Sequence, residues 1–361
     1  MLIYLTNSLI TNNYDDITLI KKCVRNLCIA YEESKHLLLG DYEVLNWACH
    51  LIQDETSQLV LNKLIQEYSL SSIPRNITEY IEVGNWQEKD KIESEGIVIH
   101  RVPFSFFVDS GFCQKSCVIV EDENDYGFYE HILKWFIAGR GYNYNFKCIQ
   151  GGGTNMGRTI STTLENENIA VAFVDTDIRF PGERIKVNST CYNCQQAARA
   201  VESSSVFHLH VLNLHEIENI LPFDIIIGLD WNQEDIKHFQ YLIDADENGN
   251  IMRFFDIKKG IKKTNELIDS EDYLQFAQQC YLANPQLTSE MDFDARMDIT
   301  DDKGIIYPGL GRPLTKIIDY FHAHDITLTP FTLLPFQEEE WNNIGQNLLN
   351  YGFSRSMEAI N

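Results

Sequence analysis

The sequence predicts an α/β fold built on a parallel sheet flanked by helices, with mainly helical regions before and after it. Three observations carry this. Compact apolar segments recur through the middle of the chain, each followed by a stretch with helical spacing. One of them, Ile169–Val174, is apolar at every position, as a strand covered on both faces must be. The flanking regions show apolar residues at i, i+3, i+4 and little strand alternation. The expected division is an N-terminal mainly helical region over 1–110, a sheet domain over 111–260 and a C-terminal helical region over 261–361.

The chain opens with Met1-Leu2-Ile3-Tyr4-Leu5, read as a strand or the start of a folded domain. Ile17–Tyr31, Tyr42–Ile52 and Ser57–Tyr68 carry helical spacing, whereas Gly96–Arg101 and Phe104–Val108 are rich in β-formers. In the middle, Ser116–Val120 reads as a buried strand and Tyr126–Ile137 as a helix. Asn145–Gln150 is a second strand ending in Gly151-Gly152-Gly153, with Met156–Leu164 helical after it. Ile169–Val174 is the third strand, Cys194–Val201 a helix and Val206–Asn213 the fourth strand. This β-α-β alternation is what a parallel sheet requires. Tyr241–Ile243 and Ile251–Ile257 flank Asp246-Glu247-Asn248-Gly249-Asn250 and are expected to form a hairpin. From about Thr264 the pattern is helical again, with a Gly/Pro-rich connector over Pro308–Pro313 and amphipathic helices over Leu314–Ala323 and Glu338–Tyr351.

With 361 residues, 44% hydrophobic and 23% charged, the chain has ordinary globular composition and enough length for two or three domains. No apolar run approaches the ~20 residues of a spanning helix, and the N-terminus lacks the basic n-region of a signal peptide. The expected compartment is the cytoplasm, with no membrane partner. Nine cysteines include two close pairs, Cys113/Cys117 and Cys191/Cys194. A structural zinc site needs two such pairs to converge; small buried thiols are the preferred reading. The formal net charge of −24 means that any phosphate-binding footprint is local, supplied by a partner or helped by bound cations.

The chemistry is concentrated where α/β sheets place it, at the carboxyl ends of strands. Glu121 follows the first strand directly and Asp125 comes four residues later, a spacing that puts both on one helix face. The third strand ends in Asp175-Thr176-Asp177, whose alternation points both aspartates the same way. The fourth runs into His215-Glu216-Ile217-Glu218-Asn219. Carboxylates crowded together repel, and a hard divalent cation with oxygen ligands compensates them most simply. Each piece alone is an ordinary cap or turn; it is their repetition on successive strands that points to a metal site.

These motifs resemble the Toprim domain. Val118-Ile119-Val120-Glu121-Asp122-Glu123-Asn124-Asp125 resembles its first motif, a strand delivering a Glu with a second acid four positions on. Asp122 stands where the related branch often has glycine. Gly151-Gly152-Gly153 resembles its glycine turn, and Ala172-Phe173-Val174-Asp175-Thr176-Asp177 its Asp-x-Asp. Glu216-Ile217-Glu218-Asn219 is similar to the acidic motif of nucleases related to the OLD (overcoming lysogenization defect) proteins, which include anti-phage defence effectors. The resemblance covers about residues 113–260. It implies a nuclease using Mg²⁺ or Mn²⁺ on DNA or RNA, with Glu121, Asp125, Asp175 and Asp177 as metal ligands. Glu218 would be a ligand or a base orienting water, and Lys258 would stabilise transition-state charge. OLD proteins carry an ATPase, yet this chain has no G-x-x-x-x-G-K-[ST] match. The resemblance therefore implies nucleic acid as a partner, and either an ATPase subunit acting in trans or action without one; a homo-oligomer is a further partner the sequence leaves open.

Several other readings compete. Lys258, Lys259, Lys262 and Lys263 form the clearest basic patch, a phosphate contact or simply a solvated strand end. Asp244–Gly249 begins like an EF-hand loop, but Phe255 occupies the twelfth position where a bidentate Glu is required. His208 and His210 share a strand face and read as satisfied histidines rather than ligands. A metal-dependent Asp-x-Asp glycosyltransferase would use Asp175 and Asp177 alone. A non-catalytic docking subunit would need none of the carboxylates. No nucleophile elbow supports a Ser/His/Asp or Cys/His mechanism.

Overall fold

The computed structural model describes residues 1–69, 72–166, 169–201, 205–246, 249–298 and 304–355, and shows an α/β architecture with two parallel-strand sheets. The first sheet is formed by β1 (Leu2–Leu5), β2 (Leu37–Gly40), β3 (Glu79–Gly84), β4 (Asp90–Ser94) and β5 (Ile97–Pro103) in the order β2-β1-β3-β5-β4. All its pairings are parallel except β4 with β5. Helices α1 (Tyr14–Glu32), α2 (Tyr42–Leu51) and α3 (Glu55–Gln66) accompany it. Asn13 caps α1 by accepting from the Asp15 N–H, with Asp15 and Asp16 in the first turn, and the helix buries Ile20, Cys23, Val24, Leu27, Cys28 and Tyr31 on one face.

This sheet corrects the expectation of a mainly helical N-terminal region. β2 is only four residues long, and β4 reads Asp-Lys-Ile-Glu-Ser on an exposed edge, so neither shows the apolar alternation by which a strand is recognised. Phe104–Val108, read as β-rich, is a 3-10 turn that buries Phe104 and Phe107.

The second sheet contains β6 (Ser116–Val120), then β7 (Asn143–Tyr144) leads to β8 (Phe146–Gln150), followed by β9 (Ile169–Val174) and β10 (Val206–Val211). Four of these form an all-parallel sheet in the order β10-β9-β6-β8, while β7 pairs antiparallel with β13 (Phe353–Ser354). The helices are α4 (Glu123–Ile137) after β6, α5 (Met156–Asn166) after β8 and α6 (Thr190–Val201) after β9. Side-chain alternation along β6 and β9 divides the packing. Val118, Val120, Val171 and Phe173 face α4, whereas Cys117, Ile119, Ala170 and Ala172 face α5 and α6. The chain thus leaves β6 toward one face and β9 toward the other, which opens a crevice beyond their carboxyl ends.

The remaining elements are α7 (Phe223–Gly228), α8 (Gln233–Ala245), β11 (Gly260–Lys262), α9 (Asn265–Asp269), α10 (Glu271–Leu282), α11 (Pro285–Glu290), α12 (Phe293–Asp298), β12 (Ile305–Pro308), α13 (Pro313–Ala323) and α14 (Pro335–Gly352). The expected hairpin at Asp246–Asn250 is not formed. Tyr241–Ile243 belongs to α8, which buries His238, Phe239 and Leu242, and Ile251 onward forms turns; residues 247–248 lie outside the described ones. The antiparallel pair in this region is instead β11 with β12.

α14 ties the two sheets together. The indole of Trp341, fully buried, donates to the Ile220 carbonyl at 2.8 Å and packs on Phe128 and Trp135 of α4. At its other end, Asn350 Oδ1 accepts from the Thr78 N–H at 3.1 Å and the Tyr351 hydroxyl donates to Glu79 at 2.8 Å. Among the described residues no helix is long and apolar enough to cross a membrane.

Candidate metal centre

Glu121 leaves β6 at the crevice, and α4 starts two residues on, at Glu123. Asp122 is the N-cap: its side chain accepts from the Asn124 N–H at 2.8 Å, while its own N–H donates to Asp125 Oδ2 at 3.0 Å. This reciprocal capping box fixes the Asp125 carboxyl. Asp122 has φ −132°, an ordinary extended value, so the position that is often glycine in the resembling branch needs none here. The glycine turn after β8 supports Glu121 from behind. Gly151 donates to the Val120 carbonyl at 2.6 Å and Gly152 to the Glu121 carbonyl at 3.1 Å. Gly153 sits at φ +56°, where an added Cβ would lie 3.3 Å from Glu121 Oε1.

Asp175 and Asp177 extend from the end of β9. The Thr176 hydroxyl between them donates to the Leu214 carbonyl, and the Asp177 N–H donates to the His215 carbonyl at 3.0 Å. The stretch after β10 is thereby laced to the stretch after β9. Glu216 and Glu218 bracket the start of a 3-10 turn over Ile217–Ile220. Asn219 organises that turn: its Oδ1 accepts from the Glu216 N–H at 2.9 Å, and its Nδ2 donates to the Met252 and Phe255 carbonyls at 2.7 and 2.8 Å. Gln337 of α14 then donates to the Asn219 and Leu221 carbonyls. The Asn of the acidic motif is a buried structural hub.

All five acids singled out from the sequence, Glu121, Asp125, Asp175, Asp177 and Glu218, line one cleft of about 280 Å³ together with Lys258. The structure adds Asp122, Glu216, Arg312 and Thr315. Glu216 and Glu218 are buried at the base, Asp125 and Asp175 are half-buried, and Glu121 and Asp177 open to solvent. Lys258 Nζ lies 2.9 Å from Glu216 Oε2 and 3.1 Å from Glu218 Oε2, an ion pair with each. Lys259 is further out, 3.7 Å from both Glu216 and Asp256. Lys263 donates to the Met297 carbonyl, away from the cleft.

Seven acidic residues face two basic ones in the lining, an excess of five negative charges if all ionise. The electrostatics reflect this. Burial, then Asp177, raises the Glu121 carboxyl; burial, with Glu218 and Glu121 adding to it, pushes Asp125 up to about 7 against the pull of the Asp122 N–H. Asp175 is raised well above its ordinary value by burial and by Asp125 and Glu218. Burial also raises Asp177 and Glu218, partly offset by His215 and Lys258 respectively. For Lys258 burial opposes the charge, but Glu218 and Glu216 outweigh it and hold the pKa up. A divalent cation would remove the mutual repulsion, and the donors are the oxygens that Mg²⁺ and Mn²⁺ prefer.

The other candidates are structural. His210 Nε2 pairs with Glu340 at 2.5 Å, and Asn347 lies against both His208 and His210. Cys191 and Cys194 are buried thiols in the core between α5, α6 and the sheet, and Cys113 and Cys117 are buried as well. Sequence reasoning missed Arg312, which lies in the Gly/Pro-rich connector immediately before α13; loops of that kind at a sheet end often carry functional side chains. It also missed the site roles open to His215 and Asp256. No protein-family model matches the chain, and comparison with curated proteins and with solved structures gives no significant match.

Proposed function

We propose that this protein is a Toprim-type nuclease that hydrolyses phosphodiester bonds of DNA or RNA with Mg²⁺ or Mn²⁺. The observation that carries the reading is the convergence of Glu121, Asp125, Asp175, Asp177 and Glu218 in one cleft at the carboxyl ends of adjacent parallel strands. Glu121, Asp125, Asp175 and Asp177 would hold the metal, which supplies charge neutralisation at the scissile phosphate and activation of water. Glu218, buried and raised in pKa, is suited to accept a proton from that water. Lys258 counterbalances Glu216 and Glu218 and is placed to meet charge developing on the phosphate. A glycosyltransferase reading leaves Glu121, Asp125 and Glu218 without a task, and their position in the same cleft weighs against it.

The resemblance to OLD-related effectors extends the proposal to a defence role controlled by an ATPase partner. The net charge of −24 supports external control, because phosphate contacts dominate nucleic-acid affinity. The test is incubation of the purified chain with labelled plasmid, single-stranded DNA and tRNA, with and without Mg²⁺ or Mn²⁺. Metal-dependent cleavage that disappears in Glu121→Ala is expected, weak for the isolated chain and stronger with the partner. Full activity in Glu121→Ala would overturn the mechanism and favour a docking subunit.

A further inference from the structure

Beside the carboxylate cluster lies a group of different chemistry. His215, Glu216 and Asp256 each offer one donor atom, and the three atoms lie within 4.8 Å of one another. His215 is 4% exposed, and its Nε2 is buried without a hydrogen-bond partner. That atom lies 3.8 Å from Glu216 Oε1 and 3.6 Å from Asp256 Oδ2. Ligands about 2.1 Å from a tetrahedral ion stand about 3.4 Å apart, so the His215 contacts need close by only a few tenths of an ångström.

The surroundings of the three residues are those a metal-binding histidine needs. The Ile178 carbonyl lies 3.1 Å from His215 Nδ1, and as an acceptor it selects the tautomer with hydrogen on Nδ1 and a lone pair on Nε2. The His215 backbone is held at both ends, its N–H by the Arg253 carbonyl and its carbonyl by the Asp177 N–H. Asp256 Oδ1 accepts from the Lys259 N–H at 2.7 Å, leaving Oδ2 for another partner. The Lys259 ammonium, on a largely exposed side chain, stands 3.7 Å from Glu216 Oε1 and Asp256 Oδ2. These oxygens already attract a cation, and an exposed lysine can swing away.

We propose that His215, Glu216 and Asp256 form a distinct site for a transition-metal dication of mixed nitrogen and oxygen preference, Zn²⁺, Mn²⁺ or Co²⁺, separate from the oxygen-only cluster of Glu121, Asp125, Asp175 and Asp177. The imidazole ligand makes this site discriminate against Mg²⁺. Glu216, which lines the cleft, is the wall the two sites share.

Metal alone tests this, without nucleic acid, so the result does not depend on nuclease activity. The full chain and three variants are titrated calorimetrically with Zn²⁺ and Mg²⁺, and ¹⁴N coupling to bound Mn²⁺ is read by pulsed electron paramagnetic resonance. Asp175→Asn/Asp177→Asn is expected to keep one Zn²⁺ per chain and the ¹⁴N coupling. His215→Gln is expected to lose the coupling and weaken that Zn²⁺ by roughly tenfold or more, while Mg²⁺ binding stays as in the parent. Asp256→Asn should weaken the same Zn²⁺, and it decides the matter if His215→Gln does not fold. Unchanged Zn²⁺ affinity in the folded His215 or Asp256 variant, or absence of ¹⁴N coupling in the parent, overturns the site. Loss of Zn²⁺ only in the Asp175/Asp177 variant would assign it to the carboxylate cluster instead.

Discussion

The backbone N–H of Asp177 donates to the carbonyl of His215 at 3.0 Å, and Asp177 makes this bond with φ at +57°. The bond fastens the Asp-x-Asp after β9 to the acidic turn after β10, so the two halves of the cleft are positioned by main chain. Asp and Asn tolerate the left-handed region better than other side chains except glycine.

Substitutions at Asp177 should therefore separate charge from backbone. Asp177→Asn keeps the conformation and removes a carboxylate from a repulsive cluster, so the melting temperature should hold or rise while Mn²⁺ affinity falls. Asp177→Ala should lose the metal equally and also cost about 1 kcal/mol in stability from the strained φ. Calorimetry for metal binding and denaturant unfolding for stability read the two effects. Equal stability in both variants would show that the left-handed conformation has no consequence.

Metal should invert the pH dependence of stability. Glu121, Asp125, Asp175, Asp177 and Glu218 all have folded pKa values raised above their unfolded ones, with Asp125 at about 7. Between the two values the folded state binds more protons. The associated stability is present below the unfolded pKa and lost as pH rises through the folded one. Metal-free protein should therefore melt higher at about pH 6 than at about pH 8. With saturating Mn²⁺ the trend should reverse, because protons compete with the ion. Melting curves at the two pH values settle it; a metal-free protein more stable at the higher pH would contradict the crowding of these groups.

What the sequence made legible was whatever repeats along the chain. β6 and β9 are buried on both faces and read as apolar runs, broken only by Ser116 at the start of β6, and the acids follow them directly, so both strands and the carboxylates that line the cleft could be located. β4 and β2 could not, since one is a charged edge and the other a four-residue run. The turn after β10 was half legible. Glu218 stands out by charge, but nothing in Glu-Asn shows that Asn219 binds two carbonyls from the segment around Met252. Arg312 and Asp256 reach the site from distant segments, and only the folded chain brings them there.

Asn219 should be the costliest polar residue of this turn to truncate. Its side chain is fully buried and makes three hydrogen bonds to backbone groups. Asn219→Ala leaves the Glu216 N–H and two carbonyls without those partners, a loss of about 1–3 kcal/mol for a buried unsatisfied group. Metal affinity should fall with it, because Glu216 and Glu218 lose their anchor. Urea unfolding and metal titration together check this, and a variant with parental stability would remove the hub role assigned to Asn219.

Gly153 should matter to Glu121 more than to the fold. At φ +56°, with an added Cβ 3.3 Å from Glu121 Oε1, Gly153→Ala strains the turn by about 1 kcal/mol and crowds the carboxylate. Mn²⁺ affinity should drop several-fold at temperatures well below melting, where the protein remains folded by circular dichroism. Parental metal affinity would mean that Glu121 Oε1 is not a ligand.

Arg312 offers a test in which two affinities move in opposite directions. It is exposed at the cleft lining just before α13, and among the described residues no carboxylate stands within ion-pair distance of it. A guanidinium at the edge of a strongly negative cleft weakens the field that attracts a metal ion, yet it is suited to pair with a phosphate. Arg312→Ala should therefore bind Mn²⁺ slightly tighter. It should bind nucleic acid more weakly, with the slope of log affinity against log salt reduced by about one. The melting temperature should not change, because the side chain makes no ion pair among the described residues that its loss would break. Metal titration and salt-dependent binding of a labelled oligonucleotide in Ca²⁺, chosen to suppress cleavage, measure the two affinities. If both fall together, Arg312 supports the metal centre itself. If neither moves, the substrate enters by another side of the cleft.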